Sequence, residues 1–437
     1  MKAWPNKYFV VGLTLSAVAY CLLAYATPRT QFYQLLFLFV LAFSGYALIL
    51  RAKPAISQGM VWAVGLRLLF LPALPLLSDD YFRFLWDGAL VVQGENPYLS
   101  LPSAFLAETH AAVPGVSQGL LSRLNSPDYY SVYPPLCQAI FGLASLLGGE
   151  SYLIGCLVMR LFLVGAEAGT VLLLIQTLKA WNKPVQLAWL YAFNPLVIVE
   201  LTGNLHFEAL MIFFLLASLY WLRQGRLPLS ALALGLSIGV KLLPLMVLPL
   251  LLAYLGWKKF LPYGTLVLLV VAVLFLPFLS EDLIRHFLNS LNLYFQKFEF
   301  NASWYYLFRW LGFRVAGYNL ISLIGPLLSL GTVACIFWLA SRRPKDVRQL
   351  PGYFLLAFSV YLFLATVVHP WYITTLVMLA CLSSWRYPVL WSGLAVLSYA
   401  AYQTEVYREN LWLVALEYLL VFATLLGELT VLRRKLR

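Results

Sequence analysis

Apolar residues recur along this chain in runs that approach the length needed to cross a lipid bilayer. A spanning helix requires about 20 apolar residues. Runs of nearly that length cover residues 8–26, 31–51, 58–77, 152–178, 184–201, 205–223, 260–280, 317–341, 350–368, 386–403 and 410–432. Shorter or interrupted runs cover 131–147, 229–256 and 371–384. The pattern predicts an all-α polytopic membrane protein with about 11–14 transmembrane or re-entrant helices.

The composition agrees with a membrane protein and leaves no room for a separate soluble domain. Of 437 residues, 62% are hydrophobic and 11% are charged, whereas soluble domains carry about 25% charged residues. The net charge of +12 does not indicate nucleic-acid binding, because the basic residues lie in short connectors between apolar runs. We therefore expect one transmembrane domain over residues 1–437, with the lipid bilayer as its surroundings and no nucleic acid bound.

The basic connectors predict the orientation of the chain, because Lys and Arg concentrate in cytoplasmic loops. If the N-terminus is cytoplasmic, alternating spans place one set of basic groups on that side: Arg51 and Lys53, Lys179 and Lys183, Arg223 and Arg226, Lys258 and Lys259, Arg342 to Arg348, and the C-terminal tail. This arrangement requires 131–147 to re-enter without crossing and 229–256 to form a broken hairpin. Pro244 removes a helix hydrogen bond and so marks the break near Lys241. Both termini are then cytoplasmic.

Two long loops, 78–130 and 281–316, then lie on the outer face. The first carries six acidic residues against Arg83 and Arg123. Both loops mix aromatic, aliphatic and polar residues at helical spacing, which is typical of amphipathic helices at a membrane surface. The chain thus divides into the first three spans at 1–77, the acidic loop, further spans at 131–280, the second loop, and the C-terminal spans at 317–432.

The start of the acidic loop groups charged and aromatic side chains. On a helix, Asp80, Arg83 and Asp87 are spaced i, i+3 and i+7 and share one face, with Asp79 and Trp86 on the adjoining stripe. A carboxylate can bind hydroxyl groups or accept a proton from one, and an aromatic face stacks on a sugar ring. The segment therefore indicates a site for a polyhydroxylated acceptor. The structural alternative is a helix N-terminus, where a preceding serine caps a first turn that carries both aspartates.

Charged residues inside apolar runs form a second group of candidates, because burying a charge in a bilayer is costly. Lys241 lies at the predicted helix break, where its ammonium group could bind a phosphate. The alternative for Lys241 is an ion pair with Glu167 or Glu208. Arg160 and Glu167 lie seven residues apart on one helix face and could belong to one polar network.

Two histidines lie in predicted outer turns. His206 is two residues from Glu208, and His369 is followed by Pro370 and two aromatic residues. A binding role competes with a structural one at each position. Four scattered histidines form no metal-binding motif, and the sequence has no phosphate-binding glycine loop.

Taken in order, the short motifs of the chain form a recognisable series. They are Asp80-x-x-Arg83-x-x-Trp86-Asp87, Gly94-x-Asn96-Pro97-Tyr98, Tyr133-Pro134-Pro135-Leu136, Asn194-Pro195, Gly203-Asn204-x-His206, Gly235-x-x-x-Gly239-x-Lys241-x-x-Pro244 and His369-Pro370-Trp371-Tyr372. This series resembles the GT-C-fold glycosyltransferases that use polyprenyl-phosphate sugars, over nearly the whole chain. It is most similar to the bacterial polyprenol-phosphomannose-dependent mannosyltransferases and more distantly to the GPI mannosyltransferase catalytic subunit. It departs at 203–208, where relatives often read Gly-x-Gly-His-Asn-Asp.

The resemblance implies an outward-facing active site with an acidic residue of the first outer loop, Asp79 or Asp80, as the catalytic base. It also implies that Lys241, His369 and Tyr372 hold the phosphate of a lipid-linked donor. We add Arg160 to this phosphate group because of its place inside an apolar run. The candidates for contact with the sugar or the acceptor are Arg83, Trp86, Asp87, Tyr133, His206 and Glu208.

The reaction implied is transfer of a hexose, with mannose as the first expectation, from polyprenyl phosphate to a hydroxyl group of a glycan or glycolipid. One displacement would invert the anomeric carbon. Fixed cations can stabilise a leaving phosphate, so the chemistry requires no metal cofactor, although a divalent ion could assist. Two alternatives stay open. One is a transporter or flippase for a lipid-linked saccharide, which also uses broken helices and intramembrane charges; the other is a glycan polymerase or ligase.

Overall fold

The computed structural model describes residues 6–108, 113–296, 298–404 and 406–436. In these ranges the secondary structure is helical apart from one isolated bridge between Phe300 and Val367. The α-helices in chain order are α1 Lys7–Tyr25, α2 Phe32–Ala52, α3 Ile56–Leu68, α4 Asp80–Val92, α5 Pro102–Glu108, α6 Gln118–Leu121, α7 Pro135–Gly148, α8 Tyr152–Ala180, α9 Trp189–Ala192, α10 Pro195–Val197, α11 Glu208–Arg223, α12 Leu227–Val240, α13 Leu248–Leu255, α14 Trp257–Phe275, α15 Leu283–Gln296, α16 Trp304–Ala316, α17 Ile321–Ser341, α18 Leu350–Leu364, α19 Ile373–Leu382, α20 Tyr387–Leu394 and α21 Leu411–Leu436. Shorter 3₁₀ turns cover Val185–Ala188, Leu243–Val247, Leu276–Phe278, Val347–Gln349, Pro370–Tyr372 and Ala395–Tyr402, and a π-helical turn covers Ile198–Gly203.

Seven of the described helices are long and apolar enough to cross a membrane, and a bent pair raises this number to eight. Four shorter apolar helices of 10–17 residues accompany them. The predicted all-α polytopic architecture is therefore confirmed. Several helices are shorter than the apolar runs that predicted them; α3, for example, has 13 residues and α11 has 16. Beyond α3 the run contains Pro72 and Pro75, which cannot continue a helix.

The break predicted within 229–256 is confirmed. α12 ends at Val240, and Lys241 is extended, with φ −149° and ψ 143°. The chain then makes a 3₁₀ turn over Leu243–Val247 before α13 begins. Because Pro244 has no N–H to continue the helical hydrogen bonds, Lys241 leaves the helix axis and its side chain reaches a neighbouring element.

A second break interrupts 184–201, which the apolar pattern predicts as a continuous span. Its two parts, Val185–Ala192 and Pro195–Gly203, are bent by 50°. Asn194 stabilises the bend, since its side chain accepts a hydrogen bond from the Val197 N–H at 3.3 Å and a proline opens the new helix. The prediction of an unbroken span is wrong here. The second part ends in a π-helical turn, a feature often found at functional sites.

The helix at the start of the acidic loop, α4, lies inside the bundle rather than on the membrane surface. All of its residues from Tyr81 to Leu90 are buried. Gly88 permits this packing, because a Cβ there would lie 2.2 Å from the carbonyl oxygen of Phe141 in α7. The helix that carries the predicted base therefore has a fixed position.

α15, in the second long loop, has one exposed face and one packed face, in keeping with its amphipathic pattern. Ile284 is 70% exposed, whereas Phe287 is buried with its ring centre 5.9 Å from that of Tyr98 in the acidic loop. His286 stacks on Tyr130 of the same loop, with ring centres 4.0 Å apart. The two long loops are therefore packed against each other.

The basic connectors lie at one end of the bundle, which we call the basic end. There Lys183 donates to the Leu382 carbonyl at 2.6 Å, and Arg223 donates to the Ala180 carbonyl at 2.8 Å. Cations at helix C-termini are stabilising, because the last carbonyl groups carry partial negative charge. Arg160, on the same helix as Ala180, lies about 30 Å away along its axis. The predicted active-site residues therefore occupy the opposite end, which we call the site end.

Candidate active site

Connections that are far apart in the sequence meet at the site end. They are the turns around Arg29, Asp79, His206 and Lys241, together with 365–372. Prolines lie beside several of them, at Pro28, Pro244 and Pro370. Because proline ends helices, these local signals bring polar residues and non-helical backbone together at this end.

Lys241 and Glu208 form an ion pair. Glu208 lies in the first turn of α11, where the helix dipole favours a carboxylate, and its side chain is buried. The ammonium group of Lys241 is partly exposed and lies 5.2 Å from the centre of the Tyr372 ring, within cation–π range. Of the two pairing alternatives for Lys241, the structure shows Glu208, whereas Glu167 pairs with Arg67.

The rings of His206 and His369 both stack on Trp371. Their centres lie 3.6 Å and 4.3 Å from that of Trp371, and the planes agree within 18°. Burial, with His206 and Lys241 nearby, lowers the pKa of His369 to about 3. This ring is therefore neutral at physiological pH, so it can hydrogen-bond a phosphate but adds no positive charge.

Glu200, buried in the π-helical turn, holds the connection that carries His206. Its carboxylate accepts hydrogen bonds from Tyr399 at 2.6 Å and Asn204 at 3.1 Å, and its Oε2 lies 3.3 Å from Nε2 of His206. Leu205 has φ +63°, a left-handed conformation that costs energy for a residue other than glycine. The hydrogen bonds of Glu200 with Asn204 and Tyr399 help to hold this connection in place.

Arg160 reaches the same connection from within the bundle. Its guanidinium group donates hydrogen bonds of 2.7–3.1 Å to four backbone carbonyl groups, those of Leu71, Ala73, Thr202 and Gly203. The Thr202 hydroxyl also donates to Glu167 at 3.2 Å, so Arg160 and Glu167 do belong to one network. Four of the five N–H groups of a guanidinium are thus used by backbone, which leaves Arg160 poorly placed for the phosphate contact expected of it.

Asp79 and Asp80 lie at the start of α4 and are both partly exposed. Asp79 pairs with Arg29, and its side chain is 38% exposed. Asp80 accepts a hydrogen bond from Asn125 at 2.8 Å. Asp79, rather than Ser78, is the residue before the first helical position, and the Ser78 hydroxyl accepts from the Asp80 N–H at 3.3 Å. Both carboxylates have hydrogen-bonding partners and remain accessible from solvent.

Arg83 and Asp87, predicted to contact substrate, are buried and pair with each other at 2.8 Å. Asp87 also accepts hydrogen bonds from Ser131 and from Gln138. Arg83 donates to two backbone carbonyl groups, of which that of Tyr129 is 2.8 Å away. These contacts bind the far end of the acidic loop to α4, and they place neither side chain at the accessible surface.

Trp86 and Tyr133 are likewise part of the packing around α4. Trp86 is 1% exposed and lies against Phe105. The Tyr133 carbonyl accepts from the Tyr98 hydroxyl at 2.6 Å, and its ring packs edge-on against Phe141. Trp86 therefore has no face open for a sugar ring in this conformation, whereas Tyr133 is only partly buried.

A row of aromatic side chains connects the two aspartates with the histidine stack. Arg29 lies 4.9 Å from the centre of the Tyr402 ring. The Tyr402 and Phe300 ring centres are 6.0 Å apart, and those of Phe300 and His369 are 4.8 Å apart. The Phe300 N–H donates to the Thr366 carbonyl at 3.0 Å, which fixes the second long loop beside the histidines. The two aspartates and the histidine stack beside Lys241 are therefore joined by a chain of side-chain contacts.

Sequence reasoning missed Arg29, Glu200, Tyr399 and Tyr402 as members of this site. Tyrosines near span ends are also typical of membrane interfaces, so neither tyrosine carries a specific signal. Arg29, in contrast, does carry a signal in the sequence. In the predicted orientation it lies on the outer side, against the trend of the other basic residues, and such an exception indicates a local acidic partner.

Comparison with known proteins connects this arrangement with glycosyl transfer. Residues 5–256 match the family described as alpha-(1->6)-mannopyranosyltransferase, N-terminal domain. The matched range contains the two aspartates, the connection at His206 and the break at Lys241, and it ends before His369.

Two curated relatives are similar to parts of the chain. The chain is 29% identical to GPI mannosyltransferase 1 of Kluyveromyces lactis over 167 residues, which are 38% of this chain and 33% of that protein. It is 26% identical to alpha-(1->6)-mannopyranosyltransferase A of Mycobacterium tuberculosis over 187 residues, which are 42% of this chain and 33% of that protein. Each match thus spans about a third of the length of the curated relative.

Proposed function

The chain belongs to the alpha-(1->6)-mannopyranosyltransferase family, and from that membership we propose that it transfers mannose from a polyprenyl-phosphate donor to a hydroxyl group of a glycan or glycolipid acceptor. The observation that carries the proposal is that Lys241, Asp79 and Asp80 all lie at the site end with partly exposed side chains, joined by a chain of side-chain contacts. Displacement of a phosphate by a hydroxyl group needs both functions, a cation for the leaving group and a base for the acceptor.

The donor's phosphate binds at Lys241 in this proposal. The ammonium group attracts the phosphate, and Tyr372 holds its position from one side. His369 supplies a neutral hydrogen-bonding ring, whose Nδ1 has no partner in the described part of the chain. Groups fixed before the reaction stabilise the charge that develops on the departing phosphate without rearrangement. The mechanism requires no metal cofactor, although a divalent ion could assist the leaving group.

Asp80 or Asp79 acts as the general base. It takes the proton of the acceptor hydroxyl while the hydroxyl oxygen bonds to the anomeric carbon from the side opposite the phosphate. The bond from that carbon to the phosphate oxygen breaks, polyprenyl phosphate leaves, and the single displacement inverts the anomeric configuration. A positioned base typically contributes about 10²–10⁴-fold to such a rate. Asn125 and Arg29 orient the two carboxylates.

We assign the sugar contacts to His206 and Glu208. Glu208 pairs with Lys241, and His206 stacks on Trp371 in the neighbouring connection. Oε2 of Glu208 has no hydrogen-bond partner among the described residues. Buried polar atoms are normally hydrogen-bonded, so this oxygen is suited to a sugar hydroxyl. Arg83, Asp87 and Trp86 support the site from inside the bundle instead of contacting the substrate.

We further propose that the site end faces outward from a bacterial plasma membrane. The basic end gathers the Lys and Arg connectors, as expected of a cytoplasmic end. α1 begins at the basic end, since Tyr8 near its start has its ring centre 4.6 Å from Arg51 of the first basic connector. An outward site would receive a lipid-linked donor from the outer leaflet.

The proposal is tested with full-length protein in lipid nanodiscs, supplied separately with polyprenyl-phosphate mannose, glucose and arabinose and a mannose-containing acceptor. We expect a mannosylated product and consumption of the mannose donor alone. In proteoliposomes, movement of intact donor across the bilayer without consumption would contradict the transferase and favour a flippase.

The base is identified by comparing Asp79→Asn with Asp80→Asn in the same assay. One variant should lose about 10²–10⁴-fold in transfer rate, while both keep the elution volume of the wild type in gel filtration. Full activity in both variants would show that neither aspartate is the base. Glu150→Gln, an exposed carboxylate outside the site, is the matched control.

A further inference from the structure

The charges around Lys241 differ from those of most phosphate sites, because its ammonium group is already paired with a buried carboxylate. Glu208 pairs directly with the ammonium group. Glu200 is fully buried and lies 3.3 Å from His206, whose ring stacks on Trp371. Sites for highly charged phosphates usually gather several cationic side chains. Here one buried anion is paired with the cation, and a second one, Glu200, lies 3.3 Å from the His206 ring.

The other basic groups of this region have partners elsewhere. Arg160 donates to four backbone carbonyl groups, and Arg29 pairs with Asp79. Burial, with His206 and Lys241 nearby, lowers the pKa of His369 and keeps its ring neutral. Within the residues that the structure describes, Lys241 is therefore the cation available to a ligand at this site.

Because one cation is available, the affinity of the site should depend on the number of negative charges on the ligand. A head group with one negative charge can replace Glu208 as the partner of Lys241. A second negative charge would find no counter-ion at Lys241 and would be repelled by Glu208. Coulomb interactions are stronger in a partly buried site than in water, so this repulsion is not simply screened away.

We propose that Glu208 makes the site selective for a singly charged phosphodiester head group against a doubly charged diphosphate. The inference rests on the proposed function, since it concerns the head group bound at the same site. A polyprenyl-phosphate sugar carries one negative charge on its phosphodiester, whereas the corresponding diphosphate carries two. Glu208 is then a specificity-determining residue, and its charge is the property that matters.

The experiment compares two synthetic lipids that differ by one phosphate, polyprenyl methyl phosphate and polyprenyl methyl diphosphate. Their dissociation constants are measured by thermophoresis on full-length protein in nanodiscs of uncharged lipid. We expect the wild type to bind the monophosphate at least about tenfold more tightly, and Glu208→Gln to reduce this ratio about tenfold. Glu208→Asp, which keeps the charge, should keep the ratio, as should the control Glu150→Gln.

A wild-type ratio near one, or an unchanged ratio in Glu208→Gln, overturns the inference. Glu208→Asn is measured in parallel, so that the result does not depend on the folding of one variant. Binding is measured without transfer. A protein that shows the expected ratios but forms no mannosylated product would contradict the proposed function while supporting the charge selection.

Discussion

Arg160 and Lys241 are basic side chains at the same end of the bundle, and both were predicted to bind phosphate, but their surroundings differ. Arg160 is fully buried and donates hydrogen bonds to the backbone of two separate connections. Lys241 is partly exposed, with Glu208 as its ion-pair partner. The first crosslinks the structure, whereas the second can exchange its partner for a ligand.

The difference shows how one membrane protein uses buried charge in two ways. A planar guanidinium with five N–H donors suits turns whose carbonyl groups lack helical partners. A compact ammonium group beside a carboxylate forms a pair that an anionic ligand can enter. The partners of a basic residue, more than its charge, separate the structural role from the functional one.

Removal of the Arg160 guanidinium should have the largest effect. Arg160→Met leaves four buried carbonyl groups without donors, and each such group costs about 1–3 kcal/mol. We expect loss of the monodisperse peak in fluorescence-detected gel filtration at physiological temperature. Arg160→Lys, with fewer donors, should recover only part of it. A monodisperse and heat-stable Met variant would disprove the structural role.

Removal of the Lys241 ammonium group should act on transfer more than on folding. We expect Lys241→Met to reduce the transfer rate about 10²–10³-fold, because the leaving phosphate loses its cation. The same variant should lose about 3 kcal/mol of stability, since Glu208 is left as an unpaired buried charge. Initial rates and thermal melting in nanodiscs measure the two effects.

The double variant Lys241→Met/Glu208→Gln separates these effects. It removes both charges, so the melting temperature should return close to that of the wild type while transfer stays low. A double variant that remained as unstable as Lys241→Met would indicate a structural role for Lys241 like that of Arg160.

The lowered pKa of His369 predicts that the stability of the protein depends on pH. Burial, with His206 and Lys241 nearby, lowers its pKa from 6.5 to about 3. Between these values the unfolded chain binds a proton that the folded chain does not, so stability falls as the pH drops from 6.5 toward 3. In His369→Gln the melting temperature should decline less steeply over this window, with no change in slope above pH 7. An equal decline in both proteins would show that His369 is not the group responsible.

The smallest effect is expected at Arg29. Its ion pair with Asp79 is partly exposed, and such pairs contribute about 0–1 kcal/mol. Arg29→Gln should therefore melt within a few degrees of the wild type and keep its transfer rate within about fivefold. A loss beyond a hundredfold would mean that Arg29 takes part in the reaction directly.

Several features of the fold could be predicted because their causes are local. The break at Lys241 follows from Pro244, and the start of α4 follows from the aspartates that favour a helix N-terminus. The resemblance to mannosyltransferases, carried by the order of short motifs, is confirmed by the family match over 5–256. The bend at Asn194 had the same kind of local signal in its Asn-Pro pair, although the length of the apolar run concealed it.

The roles of single charges could not be predicted in the same way. Helical spacing placed Asp80, Arg83 and Asp87 on one face, but it could not show that the face of Arg83 and Asp87 packs inward. It likewise placed Arg160 in an apolar run without showing which carbonyl groups lie opposite. These features depend on the packing of α4 and α8 against other elements.

The sequence by itself determined the membrane class, the helix break at Lys241 and the grouping of the basic connectors, because hydropathy, proline and charge bias act over a few residues. Only the tertiary structure decided which charges have structural partners and which face a ligand. The partners are distant in the chain, as in the pair of Arg67 with Glu167, 100 residues apart, and that of Glu200 with Tyr399, 199 residues apart. Apart from pairs one helical turn apart, such as Arg83 with Asp87, a buried charge finds its partner wherever the packed helices place one, and no local pattern encodes that choice.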